Sequence, residues 1–425
     1  MFDTFIRTLN EKCNAKKGAS ILVCLSGGID SMVLLHLMKR ASLILDLRLG
    51  AIHIDHGIRG EQSKRDAVFV RNACKVMSME FFLEELHLGA DQPNPEEMAR
   101  TKRYEAIIEC MHARKFRLAA TGHNLDDQVE TVIYRLIRGS GIRGISGIRY
   151  VRQDGIIRPL LDISRKQIEA FAMENHIDYV EDLTNRDIAI PRNLIRHEII
   201  PLMQRINPSV MQSVARFSKI AAVEGGALDE MASALVDDAI KLDWDIIKCF
   251  DKKRLTGAKG AVVKRLVIEV ISKMLNEPRG IDARQIDMVA DVIHKDRVSH
   301  DIKRKIRVVS CGEDIIFHLI GKAPFYNVRV EAPGRYYLPG INQPVFIEYN
   351  TSHIDFLTIR SWLPGDTIYG KKVAKILSDN KIIRPLRTFW PVVLVRDEIV
   401  AVAGIKNLEA KVTNYNLDIE FPYVA

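Results

Sequence analysis

The sequence predicts an α/β fold in its first half, built on a doubly wound and mostly parallel sheet, followed by a helical middle domain and a small, mostly β C-terminal domain. Strand-like and helix-like stretches alternate regularly up to about residue 205. Helix-like stretches with a small strand appendage follow, and short alternating apolar runs begin near Asn342. For these 425 residues we predict three domains, over residues 1–205, 206–340 and 341–425.

Four strand-like stretches, each followed by a helix-like stretch, define the first domain. Residues 21–25 form a continuous apolar run, which is typical of a strand buried on both faces of a parallel sheet. The later strands are predicted at residues 49–54, 81–86 and 118–121, and the helices at 30–40, 61–77, 96–113 and 125–137. Because right-handed crossovers join such units, their ligand is expected at the carboxyl ends of the strands.

The rest of the chain changes character. Amphipathic helices are predicted at residues 210–242, 259–276 and 283–294, and a hairpin at 305–318 with Cys311-Gly312 near its turn. The last domain shows strand-like runs at 345–349, 392–395 and 399–402. A helical domain followed by a mostly β domain is therefore expected.

Composition narrows the classes of protein. The net charge is 62 − 54 = +8. Residues 360–396 contain eight Lys or Arg and two Asp. Such a cluster suits contact with a phosphate backbone, and a solvated face is the alternative. No apolar run approaches the roughly 20 residues of a membrane span, and the first ten residues lack a secretory pattern. The six cysteines form no CxxC pair. We expect a cytoplasmic protein that does not engage a membrane.

The sharpest motif lies between the first strand and the first helix. It consists of Ser26, Gly27, Gly28, Ile29, Asp30 and Ser31. Two glycines let the backbone turn tightly near phosphate oxygens, and the helix directs its free N–H groups and positive dipole end at the anion. No Gly-Lys-Ser/Thr follows, which excludes the phosphate loop of kinases and motor ATPases. A phosphate site is predicted here.

This motif resembles the pyrophosphate-loop (PP-loop) signature of the ATP pyrophosphatase superfamily, whose members cleave ATP to AMP and pyrophosphate while adenylating an oxygen of a substrate. The resemblance implies ATP as the nucleotide, with the loop holding the leaving pyrophosphate. Asp30 would help hold Mg²⁺ on the polyphosphate, since a carboxylate plus phosphate oxygens is the usual ligand set. An N-capping role for Asp30 is compatible with this one.

The second strand ends at the same edge of the predicted sheet, with residues 52–59. Backbone groups near His53 are expected to contact the adenine, and His56 and Arg59 to face phosphates or RNA. Two histidines three residues apart are more often incidental than ligands, so the spacing of His53 and His56 does not favour a metal site.

A second constellation, residues 122–131, follows the fourth strand. Asp127 and Glu130 are three apart on a helix beginning near Leu125, and are therefore neighbours on one face. Two adjacent carboxylates repel each other unless a cation relieves them, so they are candidates to bind an ammonium group. Acidic residues complementing a helix N-terminus are the alternative. His123, at the strand end, is a candidate for a phosphate or substrate contact.

Further blocks resemble one family, the tRNA(Ile)-lysidine synthetases. The blocks are Ala99-Arg100, Arg103-Tyr104, residues 138–147, Arg158-Pro-Leu-Leu161, residues 182–187 and residues 192–196. Near the C-terminus, Arg360, Pro364-Gly365-Asp366, Lys371-Lys372, Lys375, residues 383–387 and Trp390-Pro391 resemble that family's terminal tRNA-contacting domain. Residues 206–340 match mainly in position and character.

The resemblance implies a two-step ligation on the wobble cytidine of the tRNA(Ile) with a CAU anticodon. The cytosine 2-oxygen attacks the α-phosphate of ATP, then the ε-amine of free L-lysine attacks that carbon and AMP leaves. The implied catalytic residues are Asp30, Arg103 at the α-phosphate, His123, and Asp127 and Glu130 at the lysine. The implied tRNA contacts are Arg192, Arg196, Lys371, Lys372, Lys375, Arg384 and Arg387. A homodimer is one assembly that the resemblance allows.

Two classes of alternative remain open. A tRNA thiolase of the same superfamily would need catalytic cysteines or an iron–sulfur cluster, and small-molecule ligases of the guanylate or asparagine type would carry a glutaminase module. An RNA-binding protein with a non-catalytic nucleotide fold is the other class. Intact Ser26, Asp30, Asp127 and Glu130 argue against it.

Overall fold

The computed structural model describes residues 1–55, 61–86, 95–180, 189–276, 281–321, 326–340, 344–349, 355–380, 382, 384–405 and 418–420. The chain forms two compact units, Met1–Gly225 and Gly226–Ala425. The finer division into three domains stays a prediction. Among the described helices, none combines the length and the apolar character needed to cross a lipid bilayer.

The first unit contains a five-stranded sheet with the order β3-β2-β1-β4-β5, and every pairing in it is parallel. Its strands are β1 (Ser20–Leu25), β2 (Arg48–Asp55), β3 (Glu80–Glu85), β4 (Leu118–Ala120) and β5 (Ile156–Ile157). The predicted alternation of strands and helices is confirmed. Strand β5 has only two residues, too few for a periodicity to mark it in the sequence.

Helices cover both faces of this sheet. The helices up to Ala239, the last of which continues into the second unit, are α1 (Phe2–Arg7), α2 (Ile29–Leu45), α3 (Glu61–Val76), α4 (Pro95–Ala113), α5 (Leu125–Ile137), α6 (Ile142–Ile145), α7 (Arg165–Glu174), α8 (Pro191–Leu194), α9 (Ile200–Ile206) and α10 (Val210–Ala239), with π-helical turns at Thr8–Lys12 and Ile195–Ile199. Ile21 and Val23 of β1 pack in one core with Leu35 of α2, whereas Leu22 packs in a second core with Ile107 of α4. The continuous apolar run therefore marks a doubly buried strand, as predicted.

The strand order reverses at β1, whose neighbours are β2 and β4. The turn after β1 and the turn after β4 consequently meet at the carboxyl edge, where an open parallel sheet leaves a crevice for ligands. The two strongest motifs of the sequence lie in these two turns, at residues 26–31 and 122–131.

The second unit combines helices with antiparallel sheets. Its helices are α11 (Lys252–Gly257), α12 (Gly260–Leu275), α13 (Ala283–His294), α14 (Val373–Asp379) and α15 (Arg384–Arg387). Its strands are β6 (Ile240–Asp243), β7 (Ile247–Asp251), β8 (Ser299–Ile302), β9 (Ile306–Cys311), β10 (Asp314–Leu319), β11 (Asn327–Val330), β12 (Gly334–Tyr337), β13 (Pro344–Glu348), β14 (Leu357–Ser361), β15 (Thr367–Ile368), β16 (Lys371–Lys372), β17 (Pro391–Val395), β18 (Glu398–Val402) and β19 (Asp418–Glu420).

The predicted hairpin is present as β9 and β10, which pair antiparallel around Cys311 and Asp314. It belongs to a sheet of order β6-β7-β10-β9-β8, so the middle region carries more strand than the small appendage expected. The helix predicted to continue to Leu242 ends at Ala239, and Leu242 lies in β6. The C-terminal region is mostly β, as predicted, with one sheet of order β11-β14-β17-β18.

Candidate active site

The turn after β1 is closed by its two serine side chains. Ser31 donates its hydroxyl to the carbonyl oxygen of Gly28 at 2.8 Å, and its Oγ lies 3.2 Å from both the backbone N and the Oγ of Ser26. Gly27 has a φ of +87°, a conformation that a glycine adopts without strain. Gly28 caps α2 without a side chain, so the first N–H groups of the helix stay available to an anion.

Asp30, in the first turn of α2, joins three parts of the chain. Its Oδ1 accepts from Asn124 Nδ2 at 2.9 Å, and its Oδ2 forms an ion pair with Arg165 Nη1 at 2.7 Å. Burial raises the pKa of Asp30, and the Arg165 guanidinium opposes that shift. A Cβ on Gly122 would lie 3.3 Å from the backbone carbon of Asp30, so a glycine lets the end of β4 approach α2.

His53 is buried at the end of β2, where it is paired with Leu25 of β1. Its Nδ1 lies 2.8 Å from the carbonyl oxygen of Leu25, and burial lowers its pKa. The imidazole is therefore neutral at pH 7 and connects two strand ends. A contact between the His53 backbone and adenine stays a prediction, and His56 and Arg59 lie outside the described residues.

His123 lies directly after β4. Its Nδ1 is 2.9 Å from Thr121 Oγ1, and burial together with neighbouring arginines lowers its pKa to about 4, although Asp127 acts in the opposite direction. A neutral imidazole with so low a pKa is a poor base at neutral pH, but it can contact a substrate through hydrogen bonds.

The N-terminus of α5 is organised by a capping box. Asn124 Oδ1 accepts from the backbone N of Asp126 at 2.9 Å and of Asp127 at 3.1 Å, and Asp127 Oδ2 accepts from the backbone N of Asn124 at 3.0 Å. One oxygen of Asp127 thus serves the helix end, as the alternative interpretation expected.

Glu130 is fully buried and bound by two arginines. Arg196 Nε lies 2.6 Å from its Oε1, and Arg192 Nε lies 2.9 Å from its Oε2. Arg192 Nη2 also lies 3.1 Å from Asp127 Oδ1. The repulsion between the two carboxylates is therefore relieved by guanidinium groups of the chain itself. Arg192 and Arg196 were expected to bind RNA. In the structure they pair with Asp127 and Glu130, the two carboxylates predicted to bind the lysine ammonium.

Comparison with known proteins decides the family. A family model described as a PP-loop domain matches residues 1–203. A tRNA(Ile)-lysidine synthase of Thermosipho africanus is 41% identical over 413 residues, covering 94% of this chain and 92% of that protein. The chain belongs to the tRNA(Ile)-lysidine synthase family. A synthase of Pseudothermotoga lettingae is 32% identical, with 90% of this chain and 86% of that protein covered, and one of Clostridioides difficile is 28% identical, with 98% and 97% covered.

Membership of the tRNA(Ile)-lysidine synthase family confirms the family resemblance, makes the chain an enzyme of the ligase type, and implies the use of ATP through its PP-loop domain. The described cysteines do not favour a thiolase. All six are free, and burial raises the pKa of Cys13 and Cys24 to about 12 and that of Cys74 to about 11. Thiols of that kind are poor nucleophiles at neutral pH.

The remaining predicted positions lie on other elements. Arg103 is on α4 of the first unit. In the second unit, Lys371 and Lys372 form β16, Lys375 is on α14 and all three are exposed, whereas Arg387 donates its Nε to the carbonyl oxygen of Ile382 at 2.6 Å. Arg384 begins α15, and its side chain lies outside the described part of the chain, as does the block at residues 182–187.

Two residues of the candidate site were missed by sequence reasoning, Asn124 and Arg165. Arg165 occupies the first position of α7, where the helix dipole disfavours a cation. Arg165 pairs locally with Glu169, and no local pattern marks its contact with Asp30, 135 positions away. Asn124 directly precedes the predicted helix start at Leu125, where asparagine favours an N-cap, but its contact with Asp30, 94 residues away, leaves no local signal.

Proposed function

We propose that the chain ligates free L-lysine to the 2-position carbon of the wobble cytidine in the CAU anticodon of tRNA(Ile), converting ATP to AMP and pyrophosphate. The proposal rests on one observation above all. The serine-closed turn after β1 and the Asp127–Glu130 pair of α5 are joined at the carboxyl edge of the sheet through Asp30 and Asn124.

In the first step, the cytosine 2-oxygen attacks the α-phosphate of ATP and pyrophosphate leaves. The hydroxyls of Ser26 and Ser31, the glycine amides and the positive end of α2 would stabilise the charge that develops on pyrophosphate. We assign Arg103 of α4 to the charge on the α-phosphate.

The residues present fit a Mg²⁺ ion that arrives with ATP. Asp30 offers one carboxylate with a partly exposed side chain, and among the described residues no group of three or more His, Cys, Asp or Glu side chains is arranged to hold a metal. A single carboxylate completed by phosphate and water oxygens is how Mg²⁺ is commonly bound. The ion would neutralise phosphate charge, and Asp30 would keep it at the loop.

In the second step, the lysine amine attacks the activated carbon and AMP leaves. Asp127 has 17% of its side chain exposed and Glu130 none, so Asp127 is the more accessible of the two carboxylates. We propose that Asp127 orients the lysine ammonium and takes a proton from the attacking amine, and that Glu130 supports this pair from beneath. His123 would contact phosphate or base.

The cytidine must leave its stack to reach this edge, as bases do when enzymes modify them in loops. The exposed Lys371, Lys372 and Lys375, with Arg384 and Arg387, would contact phosphates elsewhere on the tRNA. Arg192 and Arg196 would reach the anticodon region only after exchanging a carboxylate for RNA. We place the reaction in the cytoplasm, and regard a homodimer as compatible with it.

The decisive test measures radiolabelled lysine incorporated into a tRNA(Ile) transcript with a CAU anticodon, in the presence of ATP and Mg²⁺. We expect one AMP and one pyrophosphate for each lysine. Asp127→Asn should lower incorporation by about 10²–10⁴-fold, the usual contribution of a general base, but preserve tRNA-dependent ATP–pyrophosphate exchange. Asp30→Asn should lower both activities. Glu174→Gln, at the exposed end of α7, is the control.

Two results would contradict the proposal. The first is a folded chain that catalyses tRNA-dependent ATP–pyrophosphate exchange but incorporates no lysine, or that incorporates other amino acids equally well. The second is undiminished incorporation by Asp127→Asn.

A further inference from the structure

Several arginines surround Tyr104 on α4. The Arg152 guanidinium carbon lies 4.0 Å from the centre of the Tyr104 ring, and that of Arg100 lies 5.6 Å from it. The charge of Arg158 also acts on the same tyrosine and lowers its pKa. Three cations from α4, the loop before β5 and the end of β5 thus converge on one ring.

Two of these arginines are held rigidly. Arg158 is 4% exposed and donates its Nη1 to the carbonyl oxygen of Arg149 at 2.5 Å, and its buried Nε has no hydrogen-bond partner among the described residues. Arg152 forms a bidentate pair with Asp154, with Nε and Nη2 at 3.1 and 2.7 Å from the two carboxylate oxygens. Arg100 is exposed and forms no ion pair with another described residue, so its charge faces solvent beside the ring.

The local charge is strongly positive. Three guanidinium groups and one described carboxylate, Asp154, leave an excess of 3 − 1 = +2. Burial raises the pKa of Tyr104, but the charges of Arg100 and Arg158 outweigh this effect, and the net shift is downward. The same two arginines also act on His123 at the end of β4. The cluster therefore borders the candidate active site.

We propose that Arg100, Arg152 and Arg158, arranged around Tyr104, form a binding site for a phosphate group of the RNA substrate, close to the nucleotide whose base reacts. This site rests on the proposed function, since it assumes that the base reaches the sheet edge beside His123. Arg100 is exposed and Arg152 half-buried against the aromatic ring, which suits a backbone phosphate with an unstacked nucleotide beside it, and the buried Arg158 adds positive charge to the site.

A phosphate could also come from ATP. The turn after β1 already offers the serine hydroxyls and helix amides for the ATP polyphosphate, and Arg100 is exposed on α4. We therefore favour the RNA phosphate. Separate measurements of ATP affinity and RNA affinity distinguish the two sources.

The test compares Arg100→Gln with a matched control, Arg114→Gln. Arg114 is also exposed and stacked on an aromatic ring, at 4.8 Å from the centre of Phe82, and it follows the opposite end of α4. Affinity for the anticodon stem-loop of tRNA(Ile) is measured at several salt concentrations without ATP or lysine, and affinity for a non-hydrolysable ATP analogue is measured without RNA.

We expect Arg100→Gln to weaken RNA binding about tenfold, the effect of one lost charge-assisted hydrogen bond. The slope of log K against log salt should become shallower by about 0.7–0.9, since one phosphate contact is lost. ATP-analogue affinity and the Arg114→Gln control should be unchanged. Arg100→Lys should restore the salt slope but not the full affinity, because an ammonium neutralises a phosphate without forked hydrogen bonds.

Three results would overturn the proposal. These are unchanged RNA affinity and salt slope in Arg100→Gln, equal weakening by Arg100→Gln and Arg114→Gln, and loss of ATP affinity in place of RNA affinity. Because the binding assay uses no lysine, failure of the wild-type chain to incorporate lysine refutes the proposed reaction alone. Failure of the Arg100 comparison, with lysine incorporation intact, refutes only the phosphate site.

Discussion

Replacing Glu130 by glutamine tests what a fully buried carboxylate contributes to the first unit. Glu130 accepts three hydrogen bonds from two arginines, at 2.6 Å from Arg196 Nε, 2.9 Å from Arg192 Nε and 3.1 Å from Arg196 Nη2. Glutamine has nearly the same volume, so the substitution removes the negative charge and leaves the packing in place.

The expected magnitude follows from these contacts. Hydrogen bonds to a charged group contribute about 1.5–3 kcal/mol each, against about 0.5–1.5 kcal/mol for neutral pairs, so three of them suggest a loss near 3 kcal/mol. The side chains of Arg192 and Arg196 are 40% and 35% exposed, so water replaces part of the hydrogen bonding that the two guanidinium groups lose. We therefore expect a loss of about 2 kcal/mol in the free energy of unfolding. For a unit of this size that is a fall of roughly 4–8 °C in Tm.

The assay is denaturant and thermal unfolding of the full chain at pH 7. Asp301→Asn is the matched control, because Asp301 forms a bidentate pair with Arg307 at 2.6 and 2.7 Å on an exposed surface, with side chains 38% and 46% exposed. That substitution should cost less than about 1 kcal/mol. If Glu130→Gln were as stable as the wild type, or no worse than Asp301→Asn, the assigned role of burial would be refuted.

Three further predictions concern the same edge of the sheet. Gly122→Ala places a Cβ 3.3 Å from the backbone of Asp30, so it should weaken binding of an ATP analogue several-fold in a calorimetric titration. Gly141→Ala is the control, because its added Cβ would have no atom within 4 Å and should leave the affinity unchanged. Arg165→Gln removes the cation that is 2.7 Å from Asp30, so the Mg²⁺ concentration that half-saturates ATP-analogue binding should fall; a rise would contradict competition between guanidinium and metal. The pKa of His123 is about 4, below the ordinary value near 6.5. Between these two pH values the unfolded chain binds more protons than the folded chain, so the stability should fall as the pH drops through that window. His123→Asn should flatten this part of the unfolding curve against pH, and an unchanged curve would exclude His123 as its source.

Local patterns predicted where the two turns of the site lie, although not every residue in them. The hydrogen bond between Ser26 and Ser31 spans five positions, and the Asn124–Asp127 capping box spans three. Both follow from turn and helix chemistry that a short stretch contains in full. For the same reason the predicted bounds of α5, residues 125–137, match the structure.

Pairings between distant residues could not be predicted in this way. Arg165 meets Asp30 across 135 positions, and Arg196 meets Glu130 across 66. The sequence showed that Asp127 and Glu130 need a cation but did not identify it, because periodicity fixes which face a residue occupies and not which distant side chain faces it. The fold supplied an arginine where a substrate ammonium was expected.

The ion pairs at this edge have a consequence for binding. Asp30 is paired with Arg165, and Asp127 and Glu130 with Arg192 and Arg196. If the lysine ammonium binds Asp127 as we propose, it must exchange with a guanidinium that is already bound. The free energy of lysine binding is then the difference between the energies of two ion pairs, and this difference is small for the amino acid alone. The displaced guanidinium, however, becomes free to contact RNA phosphate. We therefore expect lysine and tRNA to strengthen each other's binding by the same factor, as linkage requires. Titrating lysine with and without a tRNA(Ile) transcript, and the transcript with and without lysine, measures both factors. Arg192→Gln should bring them towards one, and a coupling factor that survives that substitution would show that Arg192 is not the exchanged cation.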